Sequence, residues 1–180
     1  MLTLLATFAL LVSASSSVVA DSAVQDAQVT RSLPALQKQS GWELLGSLAG
    51  SWSLADPVTD AQKAFRIDFR LISKSSALVE TFGNPLKQVT QTVYHRNGEQ
   101  LMATHYCAQG NQPRLVMDGA STPAKLSFSF LDVTNLASPT ASHLVKIEFR
   151  LITQDLLERI ETYSAAGVRE DSRLLLKRVQ

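Results

Sequence analysis

Eleven residues, Thr104 to Arg114, hold the only cysteine of the chain, one of its three histidines, a tyrosine, an asparagine, glutamines and an arginine. Each of these could do chemistry. Cys107 is a nucleophile if a base stands beside it. His105 is the nearest base, two residues away, so both lie on one face of a strand with Cβ atoms about 7 Å apart. A working pair would need both side chains to lean together and a third group to orient the histidine. Arg114 carries a fork suited to a carboxylate. With His105 or Tyr106 it could fix the polar head of a ligand whose remainder lies against an apolar wall. One histidine suffices as an axial haem ligand, whereas zinc takes three or four ligands, and His105, Cys107 and His95 are the available donors. A structural reading competes with all of these. Asn111, Gln112 and Arg114 can tie a loop through backbone groups, and a buried His105 can simply be a satisfied wall residue.

These residues must be positioned by strands. Asn97-Gly98 demands positive φ and reads as a two-residue hairpin turn. Its register sets Arg96 opposite Glu99, Tyr94 opposite Leu101, Thr92 opposite Ala103 and Thr90 opposite His105. One face then carries Tyr94, Leu101, Thr92, Ala103, Thr90, His105 and Cys107. The other carries His95, Val93, Met102, Gln91, Thr104 and Tyr106. Both faces are mixed, so pattern alone leaves open which one points inward. Ala108 to Pro113 reads as the next loop, with Gly110 at a strained turn position and Pro113 unable to donate to a central ladder. The expected hairpin returns Arg114 beside Tyr106 and Cys107, so His105, Cys107 and Arg114 converge near one rim.

Ten short strand-like segments are legible after Gly50: roughly 50–55, 63–73, 76–83, 88–96, 100–107, 113–118, 125–131, 142–153, 157–164 and 171–178. Phe65, Ile67, Phe69 and Leu71 alternate with Arg66, Asp68 and Arg70, the period of a half-buried strand. Nothing after residue 50 reads as a crossover helix, so an all-β, up-and-down antiparallel barrel of about ten strands is expected. Before it, Ser32-Leu33-Pro34 reads as a helix start, and Leu33, Leu36, Leu44, Leu45 and Leu48 support a short N-terminal helix, broken near Gly41 and ended by Gly50. One internal echo stands out. Ile67-Asp68-Phe69-Arg70-Leu71-Ile72 matches Ile147-Glu148-Phe149-Arg150-Leu151-Ile152, and the following strands end Glu80-Thr81-Phe82 and Glu161-Thr162-Tyr163. Two units are too few for a repeat architecture, so the echo reads as two hairpins sharing an amphipathic pattern. Glu80, Glu161 and Asp132 are read as solvated charges.

Residues 1–20 contain no charge, and an apolar core, a Ser-rich exit and Val18-Val19-Ala20 read as a signal peptide cleaved before Asp21. Residues 21–31 read as a leader, and 32–180 as a single domain. The expected location is exported, periplasmic or extracellular. The apolar run is too short for a membrane span. With 180 residues, 45% hydrophobic and 18% charged, the chain suits a globular core, and a net charge of +1 with no basic stripe lacks the footprint of a nucleic-acid binder. A lone Cys107 permits no internal disulfide. No phosphate-cradling loop, nucleophile elbow or H-E-x-x-H stretch occurs, and no metal site is expected.

Gly50-Ser51-Trp52 after a helix resembles the G-x-W opening of lipocalins and other calycins, and Arg178 matches by position the late Arg that packs over that Trp. The T-H-Y-C and G-N-Q-P-R blocks, with Leu78-Val79-Glu80-Thr81, Val93-Tyr94-His95 and Phe128-x-Phe130, resemble a family of uncharacterised bacterial calycin-like proteins over about residues 42–179. Ten strands are more similar to fatty-acid-binding proteins and nitrobindins than to eight-stranded lipocalins. The resemblance implies a barrel with Trp52 and Arg178 at its floor and a cavity for a small apolar or amphipathic ligand. It implies no reaction. The nitrobindin haem motif is not matched, and His143 is nearest to it by position only. A ligand-binding barrel using Tyr94, His105, Tyr106, Cys107, Asn111, Gln112 and Arg114 is therefore the leading expectation. An enzyme in the same cavity, a haem-binding barrel and a barrel that binds only another protein are the alternatives, and the cofactor is open.

Overall fold

Ser40 and Glu43 close a reciprocal cap. The Ser40 hydroxyl accepts from the Glu43 amide at 3.3 Å, and the Glu43 carboxylate accepts from the Ser40 amide at 2.8 Å. This starts helix α1 (Gly41–Ser47), whose Leu44 and Leu45, with Leu48 just beyond, are buried. The computed structural model describes residues 40–84, 90–119 and 121–180. The expected signal peptide, the leader and the helix start at Ser32 lie outside the described residues.

After α1 the chain alternates. The strands are β1 (Gly50–Leu54), β2 (Arg66–Ile72), β3 (Ala77–Gly83), β4 (Thr90–Asn97), β5 (Gln100–Tyr106), β6 (Gln112–Met117), β7 (Lys125–Thr134), β8 (His143–Thr153), β9 (Leu156–Ala165) and β10 (Val168–Arg178). Each pairs antiparallel with its sequence neighbours, and β10 pairs back to β1 to close the barrel. This is the expected ten-stranded up-and-down barrel. A short helix, α2 (Asp60–Ala64), was not expected. It lies in the β1–β2 connection and is started by a second capping box, Thr59 with Gln62. Among the described residues no helix is long and apolar enough to cross a membrane.

The closed end is built around Trp52, which is fully buried and donates its indole N–H to the Leu48 carbonyl at 2.8 Å. The Arg178 guanidinium lies 4.3 Å over the indole ring and donates to the carbonyls of Ala49 (2.8 Å) and Ser47 (2.9 Å). One side chain thus covers the floor and ties the end of α1 to the last strand. Gly50 between them has φ +124, and a Cβ there would come within 3.0 Å of Arg178 Nη1. Gly50→Ala is expected to cost about 1–3 kcal/mol in denaturant unfolding. Above the floor, edge-to-face contacts join Phe69 to Phe149 and Tyr94 to both Phe128 and Phe149. These rings fill the lower barrel.

At the other end β1 stops at Leu54 and pairs only with Leu176, Lys177 and Arg178 of β10. The rest of β10, from Val168 to Leu174, has no strand partner on that side among the described residues. The wall is therefore lowest there, and Val168, Glu170 and Ser172 are exposed. This end is the mouth of the barrel.

The β4–β5 register is shifted by two from that expected. Asn97 pairs with Gln100 and Thr92 with His105. Asn97 stays in the strand, and Gly98, at φ +60, turns the chain with Glu99. A slip of two preserves the side-chain parity, so the two expected faces survive it. The face with Tyr94, Thr92, Ala103 and His105 is the inner one, for all four are buried, while Tyr106 is exposed.

Candidate functional site

The inner wall near the mouth carries polar groups where a small barrel would ordinarily place apolar ones. Alternation sends Glu80 of β3, Thr92 and Tyr94 of β4, His105 of β5, and Arg159 and Glu161 of β9 inward, and all are buried. Arg159, 1% exposed, is the centre. Its Nε donates to Glu80 at 2.6 Å and its Nη2 to Glu161 at 2.8 Å. The guanidinium carbon lies 4.7 Å from the Phe82 ring and 5.9 Å from that of Phe149. Tyr94 donates to the other Glu80 oxygen at 2.6 Å. Glu80 and Glu161 are the paired glutamates of the sequence echo. Their reading as solvated charges is corrected: each finds an internal cation, so neither needs water. Asp132 does stay at the surface.

One cation between two carboxylates leaves the group short of positive charge. Burial is the largest influence on Glu80 and pushes its carboxyl up despite Arg159 and Tyr94. Glu161 is also desolvated, but its bonds to Arg159 hold it below the usual carboxylate range. Burial beside Glu80 raises the Tyr94 phenol strongly. Arg159 remains a cation.

His105 sits above this group with both ring nitrogens engaged. Nδ1 is 2.9 Å from Thr92 Oγ1, and Nε2 is 3.3 Å from the Tyr163 hydroxyl. No ring nitrogen is left for a thiol or for haem iron. Burial lowers its pKa to about 4, outweighing the pull of Glu161, so the ring is neutral at pH 7. In the unfolded chain a histidine takes up its proton near pH 6.5. Between these values the unfolded state holds more protons, so stability falls as pH drops from about 6.5 towards 4. The full loss is about 3 kcal/mol. His105→Gln should remove this part of the slope, as urea unfolding at pH 7 and pH 4.5 would read.

Tyr163 leads outward. Burial and the Glu161 charge push its phenol well up, and the nearby Cys107 adds to the rise. Tyr163 pairs across the sheet with Glu170, and Ala165 with Val168. These four, with Ser142, line a crevice of about 90 Å³ at the mouth. The loop that follows the T-H-Y-C block closes beside it. Cys107 donates its amide to the Asn111 carbonyl at 3.1 Å, and Gly110 to that of Cys107 at 3.0 Å. Asn111 is buried, and its Nδ2 donates to the Ser142 carbonyl at 3.0 Å. Gln112 donates to the Gly110 carbonyl and accepts from Thr134.

The expected cluster is thus divided. His105, Cys107 and Asn111 belong to the mouth, with Tyr94 deeper. Gln112 shapes the loop. Arg114 and Tyr106 do not join them. Arg114 pairs opposite Thr104 on the outer wall and forms a two-pronged ion pair with Asp132, including an Nε bond of 2.6 Å. The backbone bond between Cys107 and Asn111 fixes that register and puts Arg114 on the face of Thr104 and Tyr106. The sequence reading missed Arg159, Tyr163 and Thr92. One signal was present: Arg159, Glu161 and Tyr163 share the parity of buried Leu157, so three polar residues fall on an inward row.

No protein-family model matches this chain, and no functionally curated protein matches it. The site stands on its geometry. Among the described residues no three His, Cys, Asp or Glu side chains are grouped to hold a metal ion. What the group can do is accept and donate hydrogen bonds at a half-open mouth, backed by a network that water does not reach.

Proposed function

We propose that this chain is an exported barrel, akin to the bacterial calycin-like proteins, that binds a small, mostly apolar ligand at its mouth. The observation that carries this reading is Tyr163. It lines the mouth crevice, its hydroxyl meets His105, which in turn meets Thr92, and beneath them lies the separate buried group of Glu161, Arg159 and Glu80, whose Glu161 charge acts on both rings. Apolar side chains would fill this volume at lower desolvation cost, and polar sites of this kind orient ligands. The floor is sealed by Trp52 and Arg178, so a ligand enters from the mouth. The purified protein, denatured and extracted, should yield a co-purifying small molecule by mass spectrometry; clean extracts from several expression hosts would count against the reading.

An enzyme in the same mouth is the second reading, and Cys107 beside the Tyr163 hydroxyl favours it. His105 would then act on the thiol through Tyr163 rather than directly. A Cys107 thiol that reacts with a labelling reagent only after denaturation would end that reading.

A further inference from the structure

The last strand leaves one edge of the barrel open. β10 pairs with β9 from Val168 to Lys177, but with β1 only at Leu176, Lys177 and Arg178. Successive residues of a strand aim their backbone groups at opposite neighbours. The Leu175 carbonyl accepts from the Ala55 amide, and the Val179 amide donates to the Ser51 carbonyl, both on the β1 side. Odd-numbered residues of β10 therefore aim to that side. Arg169, Asp171 and Arg173 present three N–H and three C=O groups there, with no strand among the described residues to take them.

Proteins blunt such an edge with a proline, a bulge, a very short strand or charge. The seven residues from Val168 to Leu174 contain no proline or glycine, and their pairing with β9 carries no register shift. Only charge guards this edge. Leu176 is buried, so by alternation Arg169, Asp171 and Arg173 point outward, and Glu170 and Ser172 inward.

The charge pattern turns away a second copy. Two such edges would pair antiparallel, with odd residues opposite odd. A two-fold axis at Asp171 sets Arg169 against Arg173 and Asp171 against itself. An axis at Glu170 opposes the two Glu170 side chains. Like charges directly opposite are destabilising. An axis at Ser172 brings Arg169 to Leu175, whose carbonyl Ala55 already holds.

A single strand of opposite pattern meets none of these obstacles. We propose that the β10 edge takes up an extended segment of another polypeptide, paired antiparallel, with acidic side chains opposite Arg169 and Arg173 and a basic one opposite Asp171. Main-chain bonds supply its affinity and the outward charges its selectivity. Leu174, half-buried against the core, and exposed Val168 meet the apolar ends of the segment. This surface does not depend on the mouth holding a small molecule.

The capped peptide V-E-T-K-T-E-V has this pattern, and V-K-T-E-T-K-V reverses it. Amide exchange of the ¹⁵N-labelled full chain reads the contact. Without peptide, Arg169, Asp171 and Arg173 should exchange fast, and Glu170 and Ser172, bonded to β9, more slowly. V-E-T-K-T-E-V should slow the three odd amides and bind at least about fivefold more tightly than the reversed peptide, the ratio that cross-strand charge pairs supply. Arg169→Glu should narrow or invert that preference. Asp171→Pro removes one N–H of the open edge and no bond to β9, and should weaken the peptide about fivefold. Equal affinity for the two peptides would overturn the charge assignment. Odd amides that neither peptide slows, or that are already protected in the peptide-free chain, would overturn the open edge. Protection that grows with protein concentration would make the occupant a second copy and overturn the proposal.

Discussion

Arg159→Met should lower stability by about 3–5 kcal/mol at pH 7, the usual result of removing one partner from a buried ion pair. The methionine fills much of the volume, so the loss is electrostatic. Glu80 and Glu161 would face each other in the barrel without a cation, one fully buried and the other nearly so. The variant should also reverse the local dependence on pH. In the native chain Glu161 is held below the ordinary carboxylate value, so its contribution is present above that value and is lost as pH falls. Without Arg159, burial and mutual repulsion raise Glu161 above its unfolded value as well and push Glu80, already raised, further up. A raised group stabilises below the unfolded pKa and loses that contribution as pH rises. Relative to the parent, Arg159→Met should accordingly regain stability between pH 7 and pH 4.5. Adding Glu80→Gln and Glu161→Gln should restore part of it at pH 7. Urea unfolding across that range reads both effects. A variant as stable as the parent at pH 7 would show that the charges are not truly desolvated.

Trp52→Ala is the second large effect. It removes the biggest fully buried side chain, and large-to-small changes of this kind cost about 3–5 kcal/mol. It also strands the Leu48 carbonyl and takes the ring from under Arg178. The helix α1 and the last strand meet at that point, so hydrogen exchange should speed up in both. Trp52→Phe keeps a ring but loses the N–H, and should fall between the two. If Trp52→Ala left α1 as protected as before, the floor would be held by α1 alone.

The strands were legible because half-buried walls alternate with period two, and the mixed faces of β4 and β5 did conceal a real inner face. The turn was harder. Asn97-Gly98 promised two positive φ values, yet Asn97 remained in the strand and pairing moved by two residues. That error cost nothing in parity. The Arg114 error did, because a loop length assumed from Ala108 to Pro113 put it on the wrong wall; the Cys107–Asn111 backbone bond is a contact that no local pattern announces. The glutamates were misjudged for a different reason. A charged residue on a strand is ordinarily solvated, and only the distant Arg159 of β9 gives the inward Glu80 of β3 an ion-pair partner. Their echo in the sequence was visible, but its meaning needed the closed barrel, which brings residues 79 positions apart into one ion pair.

The central claim is that the mouth, and not the floor or the outer wall, meets the ligand. Small-molecule extract from the expression host, titrated into ¹⁵N-labelled protein, tests it most directly. The account predicts shifts gathered at Cys107, Gly110, Asn111, Tyr163 and Glu170, with Trp52 and Arg178 unmoved. Shifts centred on the floor, spread over the outer wall around Arg114 and Asp132, or absent altogether would contradict it.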